Sequence, residues 1–131
     1  MDPQELARIA DKHGIRLLLQ FGSSVTGQMH QASDVDLAVL LERLPESLMA
    51  EGDLVADLQA LGGGRDVDLT FINRADPLLL KQIAANARLV FGSPREFEAF
   101  KLYAFKRYQD HRPYLQMERD YVNRAVDRMT R

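Results

Sequence analysis

The chain has 131 residues, enough for one ordinary domain, and its 46% hydrophobic and 27% charged content fits neither a disordered nor a fibrous protein. Seventeen Lys and Arg stand against 19 Asp and Glu, a formal net charge of -2, which argues against gripping nucleic acid by bulk charge. With no cysteine, disulfides, thiolate metal sites and cysteine nucleophiles are excluded.

In chain order, Asp2-Pro3-Gln4-Glu5 reads as a capping box with proline at the first helical position. Leu6, Ile9 and Ala10 supply a helical stripe, and His13-Gly14 closes the helix. Ile15 to Phe21 is a mostly apolar run that stops at Gly22-Ser23, the pattern of a buried strand, and Val35 to Leu41 repeats it. The polar segment Ser24 to Ser33 between them belongs on the surface. From Pro45, the residues Leu48, Val55, Leu58 and Leu61 keep helical spacing until Gly62-Gly63-Gly64. Those glycines precede a strand rather than a helix, so they are read as a helix terminus and not as a phosphate cradle.

Val67 to Ile72 is the third expected strand. Asp76-Pro77 opens a helix that runs to about Asn86, Arg88 to Phe91 is a short edge-like strand, and Ser93-Pro94-Arg95-Glu96 is a second capping box. Beyond it, Phe97, Phe100, Ala104 and Tyr108 form one helical stripe, and Leu115, Val122, Ala125 and Met129 form another. A break near His111-Arg112-Pro113 predicts two helices. The aromatic spacing Phe97, Phe100, Tyr103 and Tyr108 follows helical periodicity and is assigned to the core.

Strands alternating with helices define an α/β (α+β) fold, a mixed β-sheet flanked by helices. The expected organisation is a core over residues 1–94 with C-terminal helices over 95–131 packed on it, a single domain overall. Charge divides along the same line: 8 basic and 13 acidic residues up to position 94, then 9 basic and 6 acidic, so net -5 becomes net +3. No apolar run approaches a membrane span and the first 20 residues lack a basic leader, so a cytoplasmic protein is expected.

The chemistry concentrates in three places. Gly22 at a strand end lets the backbone approach a phosphate closely, and the Ser23 hydroxyl adds a donor. Ten residues after Ser23 come Asp34-Val35-Asp36 at the start of the next strand, where alternation projects both carboxylates from one face. A second Asp66-Val67-Asp68 string opens the third strand. In-line nucleotidyl transfer needs two divalent ions held by carboxylates, and a third acid near the nucleophile completes the set and accepts its proton. Asp66 and Asp68 share a face, and either supplies that acid. His13 is read as a favourable helix C-terminal residue and His111 as solvent exposed, while His30 lies in the loop before Asp34; no histidine metal site is expected.

Gly22, Ser23, Asp34 and Asp36 resemble, without a gap, the GSx10DxD signature of the DNA polymerase β-type nucleotidyltransferase superfamily. The short chain, Ser33-Asp34-Val35-Asp36-Leu37 and Val67-Asp68-Leu69 are similar to its minimal nucleotidyltransferase (MNT) branch, over residues 15 to about 92. One position departs: Thr26 stands before Gly27 where relatives often carry a basic residue.

The resemblance implies the polymerase β-type fold, with Asp34, Asp36 and Asp68 as metal and catalytic residues, Gly22 and Ser23 on the nucleotide, and two Mg²⁺ with ATP. Asp68 fits the family's Val-Asp-Leu position better than Asp66. The resemblance further implies an antitoxin that transfers AMP from ATP to a tyrosine of a HEPN ribonuclease toxin in a hetero-oligomer, with no direct nucleic-acid or membrane partner. The alternatives are transfer to a small-molecule hydroxyl, such as an aminoglycoside's, or a non-catalytic antitoxin that occludes its toxin through the C-terminal helices.

Overall fold

The structure, a computed structural model, describes residues 2–22 and 34–130. Ser23, Thr26, Gly27 and His30 lie outside the described residues. Helix α1 spans Pro3–His13; the Asp2 carboxylate accepts from the Gln4 N–H, and Gly14 ends the helix at φ 69. The expected box is only half formed, because Glu5 pairs with Arg8 instead of reaching back to the cap. Strands β1 (Ile15–Phe21) and β2 (Val35–Leu41) coincide with the apolar runs.

Helix α2 (Leu48–Leu61) starts at Ser47, whose hydroxyl accepts from the Ala50 N–H, and ends at Gly62. Strand β3 (Val67–Phe71) stops one residue before the expected end, because Ile72 begins a 3₁₀ turn, Ile72–Arg74. Helix α3 (Pro77–Asn86) is capped by Asp76, and β4 (Arg88–Phe91) follows.

The sheet order is β3-β2-β1-β4. β1 runs antiparallel to β2 and β4, whereas β2 and β3, joined through α2, are parallel. Side chains alternate, so each strand feeds two cores. Leu18, Val35, Leu37 and Val39 meet α1 and α2 through Ile9, Leu54 and Leu58. Leu17, Leu19 and Ala38 meet α3 and α4 through Leu80, Ile83, Phe100 and Ala104. Burial on both faces explains why β1 and β2 are almost continuously apolar.

Helix α4 is a single helix, Pro94–Thr130, with Pro113 inside it. This corrects the expected division into two helices. Proline removes the N–H that would reach the Gln109 carbonyl, but residues 109 and 113 are exposed, so water can satisfy that carbonyl and the helix continues. The Ser93 hydroxyl accepts from the Glu96 N–H at its start. The Glu96 carboxylate goes to Arg16 instead, at 2.8 Å.

Phe97 and Phe100 join the core as expected, and Tyr108 is half-buried with the Lys81 ammonium over its ring. Tyr103 does not: it is exposed and lines a cavity of about 280 Å³ with Leu40, Ile72 and Asn73. His111 is half-buried rather than fully exposed, its ring tilted against Tyr114.

Candidate active site

The antiparallel pairing places Phe21 opposite Asp36, so the end of β1 lies against the start of β2. In the parallel pair, Val35 stands beside Val67 and Asp36 beside Asp68. Two aspartates 32 positions apart in the chain thereby become cross-strand neighbours on one face. Asp34 lies two residues before Asp36 and continues that row. The Val35 N–H donates to the Asp66 carbonyl at 2.9 Å, locking the register where the carboxylates gather. All three project on the α3 and α4 side of the sheet, the side that Ala38 packs.

Gly22 is held at φ +77, and a Cβ added there would lie 2.3 Å from Asp36 Oδ2. Only glycine permits this backbone so close to the carboxylate. Asp36 is half-buried, and its pKa is raised first by burial, then by the charges of Asp68 and Asp34. Asp66 does not contribute to that shift and is exposed. Among the described residues no salt bridge joins Asp34, Asp36 or Asp68 to a basic side chain. Converging carboxylates with no counter-ion among the described residues are an all-oxygen donor set for a hard divalent cation.

A second acidic group was not foreseen. The ligand atoms of His13, Asp53 and Asp57 lie within 4.8 Å of one another. His13 precedes β1, whose first residue pairs with the last of β2, so this group sits at the other end of the sheet from Gly22. Lys12 Nζ lies 3.2 Å from Asp53 and 3.0 Å from Asp57, and His13 Nε2 lies 2.7 Å from Asp57. The Lys12 ammonium lies against both carboxylates, which makes the group a tie between α1 and α2. The only hint in the sequence was the helical spacing of Asp53 and Asp57; their meeting with Lys12 needs the packing of two helices.

A strand pair that places an aspartate on each of two neighbouring strands, beside a glycine at the preceding strand's end, is an arrangement able to bring a divalent cation next to a phosphate. The family model "Polymerase beta, Nucleotidyltransferase" matches residues 4–96, and the chain belongs to that family. Over 108 residues, 82% of this chain and 73% of the relative, it is 30% identical to the protein adenylyltransferase MntA of Shewanella oneidensis.

Among solved structures, a toxin–antitoxin complex with AMP-PNP superposes with a TM-score of 0.73 at 25% identity, covering 96% of this chain and 98% of the other. A complex of a tri-AMPylated HEPN toxin with its MNT antitoxin, also from Shewanella oneidensis, has a TM-score of 0.66 at 23% identity, covering 94% and 93%. The second likeness is one of fold.

Proposed function

We propose that this chain is a protein adenylyltransferase, acting in the cytoplasm as the antitoxin that neutralises a HEPN toxin by transferring AMP from ATP to a tyrosine hydroxyl. The observation that carries the reading is the in-register pair Asp36 and Asp68, with Asp34 on the same row and Gly22 pressed against Asp36. The 30% identical relative is named for this activity, and the 25% identical structure holds an ATP analogue in a toxin–antitoxin complex.

In this reading Asp34, Asp36 and Asp68 would hold two Mg²⁺, which would withdraw charge from the α-phosphate and lower the pKa of the attacking hydroxyl. Gly22 leaves room for the triphosphate beside Asp36, and the Ser23 hydroxyl donates to it. The tyrosine oxygen forms a bond to the α-phosphorus as the bond to the bridging oxygen breaks, and pyrophosphate leaves. Asp68, on the neighbouring strand, accepts the hydroxyl proton.

Co-expression with a HEPN toxin tests the reading. The intact mass of the toxin should rise by one or more AMP groups, and the rise should vanish with Asp36→Asn. An unmodified toxin bound to the wild-type chain would favour occlusion, and AMP on an aminoglycoside alone would favour the small-molecule acceptor.

A further inference from the structure

Helix α4 has 37 residues, about 55 Å at 1.5 Å per residue, far more than its contact with the sheet requires. Its buried residues are Phe100 and Ala104, and its last inward-facing aromatic is Tyr108, beneath Lys81. Beyond that turn the apolar stripe keeps its phase. Tyr108, Leu115, Val122 and Met129 follow one another at intervals of seven residues, the repeat that keeps a helix seam facing one partner. The face that packs on the body therefore continues past it uncovered. Along this seam Leu115 is half-buried, Val122 is 50% exposed and Met129 is 84% exposed, and Tyr114 and Tyr121, each 65% exposed, flank it on one side.

The charges are sorted around this stripe. On a helical projection Arg112 and Arg119 border one side and Arg124 and Arg128 the other, Glu118 alone among the acids falls within the strip, and Asp120 and Asp127 fall on the back. Among the described residues none of these four arginines forms an ion pair. Arg124 and Arg128 instead donate to carbonyls of their own helix. An apolar strip between two arginine rims complements a helix whose own strip is bordered by acids. A second copy of the chain would bring arginine rims together and is disfavoured by the same charges.

We propose that the distal part of α4, from Tyr114 to Met129, is the docking arm for an acid-rimmed helix of the toxin. This assignment rests on the toxin being the partner, as in the proposed function. Apolar seating supplies the affinity, and the arginine rims set the orientation and the rate of encounter. Tyr121 and Val122 are exposed, so substituting them leaves the folded body intact.

The test uses the full chain and a HEPN toxin, with binding followed by biolayer interferometry and transfer by intact mass. Tyr121→Gln with Val122→Gln should raise the toxin Kd at least tenfold and raise KM, with the melting temperature unchanged. Reversing Arg119, Arg124 and Arg128 to Glu should slow association and remove most of its salt dependence. An unchanged Kd in the Gln pair overturns the proposal. So does a wild-type dimer that the Gln pair dissociates, or a loss confined to binding of anionic phosphatidylserine vesicles. If the wild-type chain binds the toxin through the arm but adds no AMP, the adenylyl-transfer reading fails and the docking arm stands. If AMP is added equally by wild type and Gln pair, the reverse holds.

Discussion

The two ends of the sheet carry acidic groups that differ in one respect. At one end Asp53 and Asp57 meet Lys12 and His13, and the Asp57 pKa is lowered, first by its hydrogen bond to His13 and then by that to Lys12. At the other end, among the described residues, Asp36 meets burial and two further carboxylates, and its pKa is raised. A compensated cluster ties α1 to α2, whereas an uncompensated one holds unfavourable energy that a bound cation relieves. The sign of the shift separates the acids that tie two helices together from those proposed for the chemistry, although both sets contain clustered aspartates.

The strongest way to break this comparison is to remove charge from the uncompensated end. Asp36→Asn or Asp34→Asn should lower AMP transfer by about a thousandfold, as expected when several kcal/mol of metal-mediated stabilisation are lost. Turnover near wild type at saturating Mg²⁺, in variants shown to be folded by circular dichroism, would place the chemistry elsewhere. Asp68→Asn should follow, suppressing turnover more than binding of a non-hydrolysable ATP analogue. Asp66→Asn should be milder because Asp68, not Asp66, stands in register with Asp36 and acts on its pKa. Calorimetric titration beside turnover measures both, and a reversed order would exchange the two residues' roles.

Gly22→Ala tests the contact itself. The added methyl meets the Asp36 carboxylate in a backbone region that L side chains rarely adopt, so about 1–3 kcal/mol of stability should be lost. Chemical denaturation reads that loss.

The smallest effects are two melting-temperature shifts of opposite sign. Asp57 is lowered from an ordinary value of 3.8, so its ionised form stabilises the fold above that value, and the contribution is lost as pH falls through the depressed pKa. Asp57→Asn should therefore cost up to about 1 kcal/mol at pH 7, and the deficit should close in acid. Asp36 is raised from the same 3.8. Its ionised form opposes folding, with the penalty absent in strong acid and fully present once pH exceeds the raised pKa. Without divalent ions, Asp36→Asn should melt higher than wild type at pH 7. Melting curves across pH decide both signs, and matching signs would remove the distinction between the two ends.

Much of this was legible along the chain. The boundaries of β1, β2, α3 and β4 follow from apolar runs bounded by glycine, proline and capping residues, because those elements obey local rules. The Gly22, Asp34 and Asp36 spacing was readable for the same reason: strand alternation alone puts Asp34 and Asp36 on one face. Pro113 misled because the cost of a proline in a helix depends on whether the freed carbonyl meets water, which is a matter of tertiary exposure.

The sequence by itself determined the elements, the paired carboxylates and the sorting of charge around the last helix, all properties of residues within a few positions of one another. Only the tertiary structure decided that Asp68 rather than Asp66 stands in register with Asp36, since a parallel pair is joined through a whole helix and its register is set by packing. It also decided that Lys12 crosses to Asp53 and Asp57, and that α4 outruns the body it packs on. Each of those outcomes depends on which distant surfaces bury one another, a free energy that no local spacing contains.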